Sequence, residues 1–160
     1  MRSVLCLVAL LAASTASAQP LPVQADLVRM AGSDTVYFGP ENYVLDGPAR
    51  ATLTAQARLF LANPAVTATI EGHSDQRDPR DHALAAGERR ASVVRDFLVS
   101  LGVQADRLTV VSWGRERPGN PGSNPTAWAL NRRVVVTLDK PILQPPLQPA
   151  TLPPPIPQQY

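Results

Sequence analysis

An acidic side chain and a basic one lie close enough in the sequence to act on one ligand. Asp75 belongs to a polar loop, and Arg90 follows fifteen residues later in an amphipathic stretch. A carboxylate accepts hydrogen bonds from an ammonium group, and a planar guanidinium donates two parallel hydrogen bonds to a carboxylate. Asp75 and Arg90 could therefore bind a ligand that carries both groups. The two residues could instead form an ion pair with each other that holds the loop against the helix.

Helical position distinguishes Arg90 from its neighbour Arg89. A helix is predicted from Leu84 to Leu101, with one apolar stripe formed by Leu84, Ala91, Val94, Leu98 and Leu101. Arg90 lies roughly 50° from the centre of this stripe and Arg89 roughly 150° away. We therefore expect Arg90 to reach the crevice at the ends of the strands and Arg89 to point to solvent. The unpaired N–H groups of the helix start could bind the same ligand carboxylate as Arg90.

Other chemistries fit the same loop poorly. His73, Asp75 and His82 carry metal-ligating groups, but their spacing matches no compact zinc motif. Ser74 stands between His73 and Asp75, yet neighbouring side chains of an extended loop point apart, and the sequence has no G-x-S-x-G elbow. We expect no metal, no cofactor and no enzymatic activity.

The elements that position these residues follow from periodicity and from turn residues. Strands are predicted over 35–38, 66–72, 108–113 and 133–138, helices over 46–63 and 84–101, and a helical turn over 126–130. The order β-α-β-α-β-(short helix)-β predicts an α/β fold, a two-layer sandwich with the helices on one face of a mixed sheet. Residues 19–33 show neither period and are predicted to be an irregular lead-in.

The N-terminal residues have the pattern of a secretory signal peptide over 1–18. Arg2 supplies a positive charge, 4–13 form an apolar run, and Ala16-Ser17-Ala18 form a small-residue cleavage site. The single cysteine, Cys6, lies inside the apolar run and not at its end, where a lipidated cysteine would stand. We expect a mature chain that begins near Gln19, carries no lipid and is exported to the periplasm.

The C-terminal residues form a distinct segment over 140–160. Eight of the 17 prolines in the chain lie in its last 20 residues, which carry no charge from Pro141 onward. This composition predicts a disordered, extended tail, or a segment that docks into an aromatic groove of a partner protein. The net charge of +2 is too small to indicate a nucleic-acid partner.

Four motifs, taken together, resemble the OmpA-like peptidoglycan-binding domain, and most closely its peptidoglycan-associated lipoprotein branch. They are Glu-Gly-His-Ser-Asp at 71–75, Gly-Glu-Arg-Arg-Ala-Ser-Val-Val at 87–94, Gly-Arg-Glu-Arg-Pro at 114–118 and Asn-Arg-Arg-Val at 131–134. The resemblance implies one domain over 34–139 that binds without catalysis. The ligand it implies is the meso-diaminopimelate of the peptide stem in the bacterial cell wall.

The resemblance also implies the residues of the site. Asp75 and Arg90 match the pair that clamps the ligand, and Arg132 matches a second cation of the site, although it could instead be an edge-strand charge that discourages aggregation. The residues expected to form the wall of the pocket are Phe38, Gly39, His73, Ala83 and Asn131.

The sequence departs from the family pattern at three places. Relatives often have Phe-Asp-Phe-Asp where this chain has Phe38-Gly39-Pro40-Glu41, a Gly-Thr at Asp78-Pro79, and a Tyr-Asn at His82-Ala83. The last change leaves Asp81 or His82 to cap the following helix.

Two functions remain open from the sequence. One is noncovalent binding of peptidoglycan, at the cell wall or the inner side of the outer membrane, which would contribute to the organisation of the envelope. The other is an envelope adaptor with reduced affinity for the wall, which binds other envelope proteins through its Pro-rich tail.

Overall fold

The structure is a computed structural model that describes residues 24–139. The predicted signal peptide and the predicted Pro-rich tail lie outside these residues. The helices are α1 (Gln24–Ala31), α2 (Gly47–Ala62), α3 (Arg80–Ser100) and α4 (Pro125–Asn131), and the strands are β1 (Thr35–Tyr37), β2 (Ala68–His73), β3 (Leu108–Gly114) and β4 (Arg133–Leu138). No helix among the described residues is both long and apolar enough to cross a membrane.

The four strands form one mixed sheet in the order β1-β4-β2-β3. Strands β2 and β3 are parallel, and β4 runs antiparallel to both β1 and β2. Helices α2 and α3 bury their apolar residues with those of the sheet in one core, in which Phe60, Ile70, Val94 and Val136 are fully buried. The predicted two-layer α/β sandwich is therefore confirmed, with strand boundaries that differ from the prediction by one or two residues.

Helix α2 begins and ends where its capping residues predict. The side chain of Asp46 accepts a hydrogen bond from the backbone N–H of Ala49 at 2.8 Å, and Pro48 lies in the first turn, where a missing N–H costs nothing. The helix ends at Asn63, ahead of Pro64. Buried Arg107 donates hydrogen bonds to three backbone carbonyls at this end, those of Phe60, Asn63 and Val66.

Helix α3 begins four residues earlier than predicted, at Arg80. Pro79 takes the capping position, no side chain caps the helix, and the N–H of Ala83 donates to the carbonyl of Pro79 at 2.8 Å. The expectation that Asp81 or His82 caps the helix is therefore wrong, because Pro79 already directs the chain into the first turn. Arg90 consequently lies in the third turn, about 15 Å along the axis from the helix start.

Two glycines let α3 approach the sheet closely. A Cβ atom on Gly72 of β2 would collide with the backbone carbonyl of Gly87 on α3, and a Cβ atom on Gly87 would collide with Ser112 of β3. The helix therefore packs against the strands at backbone distance. Arg90 follows Gly87 by nearly one turn, so this contact fixes the position of its Cα near the end of β2.

The prediction of an irregular lead-in is wrong, because 24–31 form helix α1. Leu27 is fully buried, and the side-chain amide of Gln24 donates to the carbonyl of Val136 and accepts from the N–H of Leu138. Strand β1 pairs with β4 only over Arg133 to Val135. Gln24 therefore provides hydrogen-bond partners for backbone groups of β4 that lie beyond the end of β1. These long-range contacts stabilise a helix of only eight residues, which is too short to be stable on its own in water.

Candidate functional site

Asp75, Arg90 and Arg132 line one pocket of about 250 Å³. Asp75 follows the end of β2, Arg90 lies on α3, and Arg132 precedes the start of β4. The end of β2 and the start of β4 lie next to each other, at the same end of the sheet, because the two strands are antiparallel neighbours. The other residues that line the pocket are Pro40, Glu41, Tyr43, Arg77, Asp78 and Ala86.

The carboxylate of Asp75 is buried and hydrogen-bonded on both oxygens. Oδ1 accepts from the backbone N–H and from Nε of Arg77, at 3.2 and 2.9 Å. Oδ2 accepts from Nη2 of Arg77 and from Nη1 of Arg132, both at 2.9 Å. The hydrogen bonds from Arg77, with the one from Arg132, lower the pKa of Asp75 to about 2, although burial alone would raise it. Asp75 is therefore ionised at neutral pH.

Arg132 lines the pocket and is fixed there by a hydrogen bond to the backbone. It is 8% exposed, and its Nε donates to the carbonyl of Phe38 at 3.2 Å. The ring of Phe38 belongs to the core and does not form a wall of the pocket. This predicted wall residue contributes only the carbonyl group that accepts from Arg132. Strand β4 is central in the sheet, which rules out the alternative that Arg132 is an edge-strand charge.

Arg90 is buried beside the carboxylate without forming an ion pair with it. It is 2% exposed, and its Nη1 donates to the carbonyl of His73 at 3.1 Å and to Oγ of Ser74 at 3.4 Å. Its Nε is buried and has no hydrogen-bond partner. Burial is the main cause that lowers the pKa of Arg90. The ion pairs of Asp75 among the described residues are with Arg77 and Arg132, so the alternative of a direct pair with Arg90 is wrong.

Tyr43 and Arg77 are lining residues that the sequence analysis missed. The guanidinium groups of Arg89 and Arg90 lie 4.5 and 5.5 Å from the ring centre of Tyr43, and Arg89 is exposed as predicted. Tyr43 lies in an irregular segment, where periodicity gives no signal. The N–H of Arg77 donates to the Asp75 side chain two residues earlier, which is a local turn that aspartate favours and that the sequence could have indicated.

Two predicted wall residues, Gly39 and His73, lie next to the pocket without lining it. Gly39 precedes Pro40, which does line it. The carbonyl of His73 accepts from Arg90, while its imidazole is buried and its Nδ1 has no partner. Burial, together with the positive charge of Arg133, lowers the pKa of His73 to about 4. The imidazole is therefore neutral at physiological pH.

The other two, Ala83 and Asn131, are fully buried and organise loops. A Cβ atom added to Gly114 would press on the backbone of Ala83, so the start of α3 packs against the end of β3 there. The Nδ2 of Asn131 donates to Gln76 and to the carbonyl of Asn120, at 3.0 and 2.8 Å. Neither residue lines the pocket.

Two further expectations concern metals and the helix start. Within 24–139, no group of three or more His, Cys, Asp or Glu side chains could hold a metal ion. Residues 80–83, the first turn of α3, are not among those that line the pocket. The N–H groups of the helix start therefore do not face the pocket together with Arg90, as they would have to in order to bind the carboxylate of one ligand.

Comparison with known proteins identifies the family. The model of the OmpA family matches residues 37–132. The peptidoglycan-associated lipoprotein of Brucella abortus biovar 1 is 40% identical over 106 residues, which cover 66% of this chain and 63% of that protein. The protein of the same name from Haemophilus influenzae is 38% identical over 103 residues, which cover 64% and 67%. The chain thus spans less than two thirds of the Brucella relative.

Solved structures show the same fold. The crystal structure of the peptidoglycan-associated lipoprotein from Burkholderia pseudomallei has a TM-score of 0.66 and 31% identity, and the match covers 68% of this chain and 92% of that one. The C-terminal domain of Helicobacter pylori MotB has a TM-score of 0.61 at 18% identity, covering 67% and 84%, and supports the fold alone. This chain belongs to the OmpA family.

Proposed function

We propose that this chain binds peptidoglycan noncovalently, through the zwitterionic end of the meso-diaminopimelate in the stem peptide. The observation that carries the proposal is the unpartnered, buried Nε of Arg90, in a side chain that lines the pocket. A buried polar group without a partner is rare and costly, and a ligand carboxylate would supply the missing acceptor.

The charges of the pocket suit a ligand that carries both signs. The lining residues include three acids and three bases: Glu41, Asp75, Asp78, Arg77, Arg90 and Arg132. The buried, ionised Asp75 would accept the ligand's ammonium group, and the planar guanidinium of Arg90 would bind its carboxylate. Arg132 supplies a second positive charge beside Asp75.

The relatives support peptidoglycan as the ligand, because those at 38–40% identity are named peptidoglycan-associated lipoproteins. We infer a binding module without catalytic activity that contributes to the organisation of the cell envelope. The predicted signal peptide over 1–18 would export the chain to the periplasm, where it would lie against the cell wall or the inner side of the outer membrane.

Co-sedimentation with insoluble cell-wall sacculi tests the proposal. The mature protein is expected to pellet with sacculi, and Arg90→Met and Asp75→Asn are expected to weaken binding at least about thirtyfold. Each substitution leaves a charged ligand group without its partner, a loss of about 2–5 kcal/mol. Arg89→Met is the matched control, since it removes the adjacent, exposed arginine and should change binding little.

The thermal transition of each variant is measured alongside, because Asp75 and Arg90 are both buried. Wild-type binding by folded Arg90→Met and Asp75→Asn variants would show that the site is wrong. A folded wild-type protein that does not pellet with sacculi, while envelope proteins co-purify with it, would favour the adaptor alternative.

A further inference from the structure

The acceptor capacity of Asp75 is already filled in the ligand-free protein. A carboxylate has about four lone-pair positions, and the Asp75 side chain accepts four hydrogen bonds. Three come from Arg77 and one from Arg132. An ammonium group that is to bind Asp75 must therefore replace at least one of these donors.

Arg77 is the donor that can leave. Its side chain is 48% exposed, whereas that of Arg132 is 9% exposed and is also held by the carbonyl of Phe38. Arg77 lies in the loop between β2 and α3, while Arg132 directly precedes a central strand. A half-exposed guanidinium regains water when it leaves, so its release costs less than the release of a buried one.

A second contact of Arg77 can report its position. Its guanidinium lies 4.4 Å from the ring centre of Trp128 on α4. Trp128 does not line the pocket, so a ligand in the pocket has no direct contact with the indole. A change in the surroundings of Trp128 on ligand binding would consequently report movement of Arg77.

We propose that Arg77 occupies the ammonium position of the pocket in the free protein and is exchanged for the ammonium group of the ligand. The inference rests on the proposed function, because it takes Asp75 as the acceptor of that group. Arg77 keeps the buried carboxylate paired while the pocket is empty, and in doing so it competes with the ligand.

The exchange makes Arg77 a specificity-determining residue. A positively charged ammonium replaces the charge of Arg77 at Asp75, so the carboxylate remains paired after the exchange. A ligand whose amino group is acetylated carries no such charge and would leave Asp75 less well compensated than Arg77 does. The pocket therefore selects a free amino group more strongly than an open carboxylate would.

Binding of a soluble stem tripeptide that ends in meso-diaminopimelate, measured by calorimetry, tests the competition. Arg77→Met is expected to bind the tripeptide about fivefold more tightly than the wild type, the effect of removing one partly exposed ionic competitor. Arg80→Met is the matched control, because Arg80 is an exposed arginine paired with Glu116 outside the pocket. Weaker binding by Arg77→Met would overturn the proposal and make Arg77 a direct ligand contact.

Tryptophan fluorescence tests the movement itself. The chain has two tryptophans, so Trp113→Phe leaves Trp128 as the only one. The tripeptide is expected to change the emission of Trp128 in this background. Adding Arg77→Met should alter the emission of the free protein and abolish the response to the tripeptide. A response of equal size without Arg77 would overturn the proposal.

A third variant covers the case in which Arg77→Met does not fold. Arg77→Lys keeps the charge but cannot form the two-pronged contact, so its affinity is expected to lie between wild type and about fivefold tighter. Unchanged or weaker affinity in a folded Arg77→Lys variant contradicts the proposal. If the wild type binds the tripeptide but all Arg77 variants match it, the exchange fails while the proposed function stands. If the wild type binds neither tripeptide nor sacculi, both fail.

Discussion

Arg132 donates a hydrogen bond to Asp75 at 2.9 Å, although the two residues are 57 positions apart in the sequence. The sheet register explains the contact, since Gly72 of β2 lies opposite Val134 of β4 in an antiparallel pair. Asp75 follows Gly72 and Arg132 precedes Val134, so the chain carries both toward the same edge of the sheet. A buried ion pair of this kind is costly to break from one side.

The first prediction concerns this pair. In a double-mutant cycle with Arg132→Met and Asp75→Asn, the free energy of unfolding in urea is expected to show a coupling above about 1 kcal/mol, because both side chains are buried. The exposed pair of Arg80 with Glu116 serves as the control and should couple by about 0.5 kcal/mol or less. Equal coupling in the two pairs would contradict the role assigned to burial.

The second prediction concerns pH and follows from His73. Its pKa is lowered from 6.5 to about 4 in the folded protein, so below pH 6.5 the unfolded chain binds a proton that the native protein does not. The contribution of His73 to the free energy of unfolding is therefore complete above pH 6.5. It falls by about 3 kcal/mol as the pH decreases from 6.5 toward 4. Urea unfolding at several pH values measures the loss.

Two variants sharpen this pH experiment. His73→Gln should flatten the dependence between pH 6.5 and 4, whereas His82→Gln, at an exposed position of α3, should leave it unchanged. Asp75 interferes little in this window, because its stabilising contribution begins to fall only near pH 3.8, the pKa of the unfolded side chain, and is lost as the pH falls toward 2. A slope that persists in His73→Gln would assign the pH dependence to other groups.

The sequence predicts those parts of the fold that local patterns determine. The Asp46 cap and Asn63-Pro64 bound α2 because capping and termination are local effects. Helix α1 is not predicted from the sequence because contacts between Gln24 and β4 help to stabilise it. These contacts join residues more than a hundred positions apart. The start of α3 was placed too late because Pro79 serves as the cap without a side-chain hydrogen bond.

The positions of the site residues are also more predictable than their side-chain partners. The resemblance implies Asp75, Arg90 and Arg132 as site residues, and all three line one pocket, since each stands at a definite place on a helix or beside a strand end. The partners of those side chains were not predictable in the same way. The sequence left open a direct ion pair between Asp75 and Arg90, but the ion-pair partners of Asp75 are the half-exposed Arg77 and the buried Arg132.

The third prediction tests the close packing of α3 on the sheet. Gly87→Ala is expected to reduce the free energy of unfolding by about 1–3 kcal/mol, because the added methyl group would collide with Ser112 and with the backbone of Gly72. Gly47→Ala is the matched control, since no residue of another element lies within 4 Å of a Cβ atom there. That change should be neutral or stabilising. Similar losses in both variants would argue against a specific contact between α3 and the strands.

The fourth prediction tests helix α1. Gln24→Ala removes the amide that bonds the carbonyl of Val136 and the N–H of Leu138, and it is expected to cost about 1–3 kcal/mol. Hydrogen exchange at the amide of Leu138 should become faster. Arg29→Ala, on the exposed side of the same helix, should leave that exchange rate unchanged. Unaltered protection of Leu138 in Gln24→Ala would show that α1 does not secure β4.

The last prediction separates wall binding from partner binding through the C-terminal segment. A variant that ends at Lys140 lacks the 20 residues that contain eight prolines, and it retains the whole sheet and every residue that lines the pocket. If the chain is a wall-binding module, this variant should pellet with sacculi as well as the full mature chain and melt at the same temperature. If it is an adaptor, the truncation should remove its co-purifying proteins, while Asp75→Asn leaves them bound. Loss of sacculus binding in the truncated but folded protein would place an essential wall contact in the Pro-rich segment, outside the pocket of Asp75, Arg90 and Arg132.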